Sequence, residues 1–283
     1  MPKEECDVAV SVLVPVYNAE SYLTQCLDSL LAQIETLPQI EFICVNDGST
    51  DSTPDILNEY AQKNKRFKII SQKNCGYGCA MNVATDNATG EYIGIVEPDD
   101  YIEPAMFSTL YQKAKMNDLD FIKSDFFRFT TDEKTGNENL TYFCATNDKS
   151  YYNKVFNPQQ DLKTFRFQMN TWSGIYKKSF IQKFNIRYNE TPGASFQDNG
   201  FYFLTWCFAT KAMVIPEAFY KNRRDNPTSS VKSTEKFYCM NIEYNYIKKC
   251  LERYPQIWDK VKGYYWLRKF LAFRWKMWVN VLK

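Results

Sequence analysis

Short apolar runs alternate with helical patterns at the start of the chain, and this alternation constrains the fold more than any other feature of the sequence. The runs at 8–15, 40–45, 67–71 and 92–96 are rich in Val and Ile, as strands buried on both faces usually are. Between them, apolar residues recur at helical spacing. This alternation predicts an α/β fold with a mainly parallel, Rossmann-like sheet and flanking helices.

A polar cluster follows each of these predicted strands. The clusters are Tyr17-Asn18, Asp47-Gly48-Ser49, Asn74-Cys75-Gly76 and Glu97-Pro98-Asp99. Because the carboxyl ends of parallel strands meet at one edge of a sheet, we expect a ligand to bind among these clusters.

The composition narrows the chemistry. The chain has 283 residues and no His, which excludes Ser-His-Asp and Cys-His catalysis. Any general base must then be a carboxylate, Lys, Tyr or Cys. A net charge of +2 argues against a nucleic-acid partner, since such proteins usually have a strongly basic face.

The cysteines and the N-terminus predict a location. Residues 1–5 lack the apolar segment of a signal peptide, so we expect a cytoplasmic chain whose 9 Cys stay reduced. Cys75 and Cys79 are four apart, but a zinc site would need a second pair or His. The spacing therefore favours buried thiols beside a loop.

Acidic residues at the end of the fourth strand suggest a metal site. Glu97, Asp99 and Asp100 place several carboxylate oxygens around one point, which a divalent cation would neutralise. Oxygen ligands suit Mg²⁺ or Mn²⁺. The alternative is a solvated turn with helix-capping aspartates. Asp47 is similarly open to two interpretations, a contact to a nucleotide or a simple Asp-Gly turn.

Taken together, these motifs resemble a known family. The segments at 12–18, 45–51, 74–76, 90–93 and 97–100 are similar, in order and spacing, to the inverting family-2 glycosyltransferases with the GT-A fold. Residues 8–105 resemble the family well, and weaker similarity continues through 172–180 and the pair Gln197-Asp198.

The resemblance implies a role for each matching position. Asp99 would be the direct metal ligand, with Glu97 at the other outer position of an Asp-x-Asp motif and Pro98 between them. Asp198 would be the general base. The donor nucleotide would be held by Pro15, Tyr17, Asn18, Asp47, Asn74, Gly76 and Asn82.

Three positions depart from the family pattern. Glu97 replaces the usual first Asp of the motif, and its longer side chain would shift the contact or make it water-mediated. Met81 stands where many relatives have Arg, which removes one expected nucleotide contact. Gln197 replaces the more common Glu before the base.

The second half of the chain predicts the remaining organisation. We expect a catalytic GT-A domain over 1–225, with a nucleotide-sugar-binding half at 1–104 and an acceptor-binding half at 105–225. A helical extension would follow at 226–283. Its last part, 254–283, is basic and aromatic. It would either lie on the inner membrane face as a peripheral contact or pack on the catalytic domain.

The function predicted from this resemblance is metal-dependent transfer of a hexosyl or N-acetylhexosaminyl group. The donor would be a UDP-sugar and the acceptor a lipid-linked glycan in surface polysaccharide synthesis. One alternative is a sugar nucleotidyltransferase, which needs a Gly-rich loop with Arg and Lys where this chain has residues 14–18. Another is a non-catalytic nucleotide-sugar- or glycan-binding module, against which Asp99 and Asp198 argue.

Overall fold

The computed structural model describes residues 7–132, 134–194, 196–227 and 237–281, and these form a mixed sheet of nine strands flanked by helices. The strands are β1 (Val10–Val16), β2 (Ile40–Asn46), β3 (Phe67–Ser71), β4 (Tyr92–Ile95), β5 (Tyr101–Ile102), β6 (Phe121–Thr131), β7 (Glu138–Phe143), β8 (Gly174–Lys177) and β9 (Ala212–Arg223). The helices are α1 (Leu23–Leu31), α2 (Gln33–Thr36), α3 (Thr53–Lys63), α4 (Tyr77–Asn87), α5 (Met106–Asn117), α6 (Lys178–Lys183), α7 (Gln197–Phe208), α8 (Phe237–Leu251) and α9 (Pro255–Val281).

The sheet has a parallel part and a mixed part. Strands β3, β2, β1 and β4 are neighbours in that order and pair in parallel. The sheet continues through β8, which is antiparallel to both β4 and β6, and then through β9 and β5. The predicted α/β fold with a mainly parallel sheet over the first four strands is therefore confirmed.

Successive residues of β1 pack into different cores because side chains of a strand point to opposite faces. Leu13 joins one cluster together with residues of α4, α7, α8 and α9. Val12 and Val14 join the other cluster, which contains residues of α1, α3 and α5. Both faces of the sheet are covered, which explains why its first strands read as continuous apolar runs.

Local details differ from the sequence pattern in two places. The helical spacing of apolar residues over 19–37 predicts one helix, but the structure has two, α1 and α2, which meet at Ala32. The pattern after the Gly-rich loop predicts a helix from about Ala80, whereas α4 begins at Tyr77, directly after Gly76 with its φ of +96°. The polar composition of 130–150 predicts a surface hairpin or loop, and within it β7 pairs antiparallel with β6 as a hairpin.

The C-terminal helices pack on the rest of the protein. Tyr244 of α8 and Tyr265 of α9 are buried, and the Tyr265 hydroxyl donates to the Tyr244 carbonyl at 2.9 Å. Arg268 donates to the carbonyls of Phe165 and Phe167 at 2.5–2.9 Å. Of the two expectations for this segment, packing is thus observed for one face of α9. Within the described residues, no helix has the length and apolar character needed to cross a bilayer.

Candidate functional site

A cavity of about 830 Å³ opens beyond the carboxyl ends of β1, β2 and β4, where the sequence predicted a ligand. Residues from both halves of the chain line it. The lining includes all predicted site residues except one: Pro15, Tyr17, Asn18, Asp47, Asn74, Gly76, Glu97, Pro98, Asp99 and Asp198.

Asn82 is the exception: it does not line the cavity, and its role in binding a nucleotide stays a prediction. Its side chain is 3% exposed and lies in the middle of α4. The amide donates to the Tyr188 carbonyl at 3.0 Å and to Glu190 at 2.9 Å, and its oxygen accepts from the Tyr188 amide. Because α4 begins one turn earlier than expected, Asn82 faces the loop at 188–190 rather than the cavity.

Asp47 organises the Gly-rich loop. Its Oδ1 accepts hydrogen bonds from Gln72 Nε2 at 2.8 Å and from the Cys75 amide at 3.0 Å. Its Oδ2 accepts from the Gly76 amide at 2.8 Å. The carboxylate is 3% exposed, so the contacts observed for it are internal. A direct contact between Asp47 and a nucleotide stays a prediction.

The loops after β1 and β2 are tied to each other. Asn18 has a φ of +46°, which Asn tolerates better than most residues, and its Oδ1 accepts from the Thr50 amide at 2.8 Å. The Asn18 amide donates to Ser49 Oγ at 3.0 Å. Tyr17, in contrast, is 52% exposed at the cavity entrance. The backbone near the predicted base-binding residues is therefore fixed, while the Tyr17 ring is accessible.

Cys75 and Cys79 form a disulfide, with Cα atoms 5.9 Å apart. The expectation that all thiols are reduced is wrong for this pair. The physical reason lies in the early start of α4, because residues on either side of a first helical turn come within bridging distance. The other cysteines that the structure describes are free.

Glu97 is partly buried against Tyr77. The Tyr77 hydroxyl donates to Glu97 Oε1 at 2.8 Å, and no described residue donates a hydrogen bond to Oε2. Burial raises the pKa of Glu97 to about 8, and the charges of Asp99 and Asp198 act in the same direction. A bound cation would offset this cost by favouring the ionised carboxylate.

Strand β9 and the residues after it support the acidic motif. Asp99 Oδ2 accepts from Asn226 Nδ2 at 2.8 Å, and the Asp99 carbonyl accepts from Arg223 Nε at 3.0 Å. Asp100 is buried and accepts from the Tyr220 hydroxyl at 2.8 Å and from the Arg223 amide at 2.7 Å. Sequence reasoning missed these supporting residues, because they lie more than a hundred positions from the motif and have no local pattern.

The donor set fits a hard divalent cation. Glu97 and Asp99 line the cavity, and each has one carboxylate oxygen that accepts no hydrogen bond from the described residues, whereas Asp100 is satisfied within the fold. Mg²⁺ and Mn²⁺ commonly take one or two protein carboxylates and complete their shell with water and substrate phosphates. Among the described residues, no group of three or more His, Cys, Asp and Glu side chains forms a complete metal site.

Asp198 lies in the first turn of α7 and faces the same cavity. Burial raises its pKa to about 6, while backbone hydrogen bonds at the helix start partly offset this rise. An oxygen base with this pKa is mostly ionised at neutral pH.

Gln197 fixes the start of the helix that carries Asp198. Its Nε2 donates to Thr191 Oγ1 at 2.9 Å and to the Gly193 carbonyl at 3.0 Å. The Gly193 carbonyl also accepts from the Tyr77 amide at 3.2 Å. A Cβ on Gly76 would lie 2.6 Å from the Thr191 carbonyl oxygen, so only Gly allows this approach. The departure at Gln197 therefore ties the Asp198 helix to the Gly-rich loop.

The C-terminal extension also reaches this region. Glu243 of α8 is 1% exposed and accepts from Asn189 Nδ2 at 3.1 Å. A Cβ on Gly200 would lie 2.1 Å from Glu243 Oε1, so the helix carrying Asp198 packs directly on α8. Sequence reasoning missed Glu243.

Aromatic residues form the wall opposite the nucleotide loops. The Trp172 ring stacks on Tyr220 with centroids 4.3 Å apart and meets Phe126 edge to face at 4.8 Å. The buried Lys123 holds the loop that precedes Trp172, since its amine donates to the carbonyls of Gln168 and Asn170.

Comparison with known proteins identifies the family of this chain. Residues 11–184 match the family model described as glycosyl transferase family 2. The chain belongs to this family. Its sheet and flanking helices have the GT-A fold, as the sequence predicted. Asp198 lies outside the matched range, so its role stays a prediction.

Curated relatives and solved structures support the same family. The chain is 32% identical over 227 residues to the uncharacterized glycosyltransferase EpsJ of Bacillus subtilis, which covers 78% of this chain and 62% of EpsJ. It is 30% identical to the glycosyltransferase GlyG of Streptococcus pneumoniae, covering 80% of this chain and 73% of GlyG. The structure of S. aureus TarS residues 1–349 superposes with a TM-score of 0.63 at 22% identity, over 84% of this chain and 64% of that one.

Proposed function

We propose that this family 2 chain is a metal-dependent, inverting glycosyltransferase that moves a sugar from a UDP-sugar to a glycan acceptor. One observation supports it above the others. Asp99, from the donor half, and Asp198, from the acceptor half, line the same cavity as the nucleotide loops. A transferase needs its leaving-group site and its base on opposite sides of one sugar.

Neighbouring structures support the choice of donor. The fold of TarS has been solved with UDP and with UDP-GlcNAc, which favours a UDP-sugar and an N-acetylhexosaminyl or hexosyl group here. The mannosyltransferase PcManGT of Pyrobaculum calidifontis, with a TM-score of 0.59 over 99% of this chain and 78% of that one, and at 14% identity, has been solved with GDP-Man and Mn²⁺. GDP-sugars are therefore the donors to test beside UDP-sugars.

The chemistry follows from the residues that face the cavity. A cation held by Asp99, with Glu97, would stabilise the charge on the departing diphosphate. Asp198 is the acceptor-side base: its ionised carboxylate removes the proton from the acceptor hydroxyl as that oxygen attacks the anomeric carbon. Attack from the face opposite the diphosphate inverts the anomeric centre through a transition state with oxocarbenium character. A positioned base contributes about 10²–10⁴-fold.

Product formation tests the proposal. The full chain is incubated with UDP-, GDP-, CMP- and dTDP-sugars, with Mn²⁺ or with a chelator, and with a set of soluble glycan acceptors. We expect a glycosidic product from a UDP-sugar that requires the cation. Binding of the nucleotide sugar without product or hydrolysis would instead favour a binding module, and formation of a nucleotide sugar from a sugar phosphate would favour a nucleotidyltransferase.

We further propose that the acceptor is a lipid-linked surface glycan and that the chain works at the cytoplasmic face of a membrane. One relative, 41% identical over 113 residues, is the poly(ribitol-phosphate) beta-glucosyltransferase of Bacillus spizizenii, but the match covers 39% of this chain and 18% of that protein. The other support is on α9, where Trp266, Phe270 and Leu271 are 45–60% exposed. Exposed aromatic residues beside cations are typical of interfacial helices.

The membrane proposal is tested on this exposed face alone. Trp266→Ser combined with Phe270→Ser should weaken binding to anionic vesicles in a flotation assay and leave transfer to a soluble acceptor unchanged. Met116→Ser, which removes an 84% exposed apolar side chain from α5, is the control. Vesicle binding equal to that of the parent would contradict the proposal.

We also propose that the chain divides into a catalytic domain at 1–225 and a helical extension at 226–283. The extension shares a core with the catalytic part through buried residues such as Tyr244 and Tyr265. Removing one such aromatic side chain costs about 3–5 kcal/mol. Surface substitutions on α9, rather than truncation, are therefore the appropriate test of its function.

A further inference from the structure

Two arginines line the cavity, and neither has an anionic partner among the described residues. Arg128 lies on β6, and Arg224 directly follows β9, where its amide donates to the Phe129 carbonyl at 2.8 Å. Neither guanidinium group has a hydrogen bond or an ion pair with any residue in the part of the chain that the structure describes. Both positive charges therefore face the cavity uncompensated.

The neighbouring Arg223 also lines the cavity, but its guanidinium group is paired within the chain. Its guanidinium donates to Gln25 Oε1 at 2.6 Å and to the Asp99 carbonyl at 3.0 Å, and it forms an ion pair with Asp225 at 3.3 Å. Three polar contacts thus engage the Arg223 guanidinium, whereas no described residue makes a hydrogen bond or ion pair with the guanidinium of Arg128 or Arg224.

Arg128 is held in place before any ligand arrives. Its guanidinium carbon lies 4.3 Å from the centroid of the Phe143 ring and 5.9 Å from that of Phe126. Its Nε is buried without a partner, which costs free energy unless a ligand supplies an acceptor. Burial, together with the nearby charge of Arg224, lowers the pKa of Arg128. An external anion would relieve both the repulsion and the missing hydrogen bond.

We propose that Arg128 and Arg224 form an acceptor subsite that binds a phosphate group on the acceptor glycan. The inference rests on the proposed transfer to a glycan. Phosphate fits because the planar guanidinium fork binds it through two parallel hydrogen bonds, and two arginines match its charge.

The subsite belongs to the acceptor rather than to the donor because of where it lies. Both arginines come from the acceptor half of the chain, while the predicted nucleotide residues come from the first 104. Arg128 shares its strand face with Phe126, whose ring contacts Trp172 on the aromatic wall. The phosphate would therefore lie beside an acceptor sugar that contacts Trp172.

Calorimetry on the full chain tests this subsite without requiring turnover. The protein, saturated with UDP and Mn²⁺, is titrated with methyl β-glucoside 6-phosphate, with the uncharged methyl β-glucoside and with methyl β-glucuronide. We expect the phosphate to bind at least about tenfold more tightly than the uncharged sugar, which is the effect of one charge-assisted hydrogen-bonded pair.

The double variant Arg128→Gln, Arg224→Gln should abolish that preference and leave the affinities for UDP and for the uncharged sugar within about twofold of the parent. Lys65→Gln combined with Arg253→Gln removes the same charge from exposed positions outside the cavity and should retain the preference. Since Arg128 packs on Phe143, Arg224→Gln alone is the second variant. It changes an exposed side chain and should still weaken phosphate binding about threefold or more.

Three results would overturn the inference. The phosphate and the uncharged sugar could bind equally, the glucuronide could bind as tightly as the phosphate, or UDP could displace the sugar phosphate. The last result would assign the arginines to the donor diphosphate. A chain that transfers sugar without any phosphate preference would refute only this subsite, whereas phosphate binding without transfer would refute the proposed function alone.

Discussion

The two sides of the cavity differ in how completely their polar groups are paired. On the donor side, Asp47 accepts three hydrogen bonds from within the chain, and Asn18 ties the loop after β1 to the loop after β2. On the proposed acceptor side, the guanidinium groups of Arg128 and Arg224 have no hydrogen bond or ion pair with the described residues, and burial raises the pKa of Asp198 to about 6. We therefore expect the donor side to be ordered before a ligand binds and the acceptor side to be completed by its ligand.

This difference has an energetic meaning. A buried carboxylate that accepts several backbone hydrogen bonds fixes loop geometry and reduces the ordering cost of binding. A buried charge or donor without a partner costs stability and is retained where a ligand or a reaction uses it. We therefore expect donor-side substitutions to alter nucleotide affinity and acceptor-side substitutions to alter transfer.

The largest effect is expected at the metal ligand. Asp99→Asn should reduce transfer to background, about 10³-fold or more, because the leaving diphosphate loses its charge stabilisation. Initial rates of product formation at saturating Mn²⁺ measure the effect, and thermal unfolding checks that the fold persists. The control is Glu97→Asp, which restores the residue usual in the family and should stay within a few-fold of the parent. Equal cation-dependent rates for Asp99→Asn and the parent would refute the metal-ligand role.

A smaller effect is expected at the donor loop. Asp47→Asn replaces one carboxylate oxygen with an NH2 group, which cannot accept a hydrogen bond. The side chain can then accept from the backbone amide of Cys75 or of Gly76, but not from both. One lost buried hydrogen bond costs about 1–3 kcal/mol, so UDP affinity measured by calorimetry should fall about tenfold or more. Asp55→Asn, at an exposed site in α3, is the matched control. Unchanged UDP affinity in Asp47→Asn would mean that the loop keeps its conformation without this carboxylate.

The smallest effect is a pH dependence set by Asp198. A base must be deprotonated, so activity should be constant above a pH of about 6 and fall about tenfold for each pH unit below it. The pH profile of kcat measures this. Because other groups near the cavity also titrate, the profile of Asp198→Asn is the reference, and its residual activity should lack the acid limb. The same acid limb in both proteins would assign it to another group.

The sequence predicted the donor side better than the acceptor side, for a physical reason. The strands β1 to β4 are buried on both faces, so their apolar runs and the polar residues after them are local signals. Asn82 lies outside the cavity because α4 starts at Tyr77, where Gly76 packs against the loop at 191–193, and this long-range contact has no local signature in the sequence. Arg128 and Arg224 came together only through the pairing of β6 with β9, which joins residues far apart in the chain.

We expect nucleotide binding and sugar transfer to depend on opposite sides of one cavity, with Asp198 acting only in transfer. The most direct test compares Asp198→Asn with the parent, measuring nucleotide-sugar affinity by calorimetry and transfer rate on the same preparation. Asn retains the size of the side chain, and it removes a carboxylate whose raised pKa makes its ionisation above pH 6 unfavourable to the folded state. We predict equal or higher thermal stability at pH 7.5, unchanged donor affinity and transfer lower by about a thousandfold. Transfer within a few-fold of the parent, or a parallel loss of donor affinity, would contradict the account.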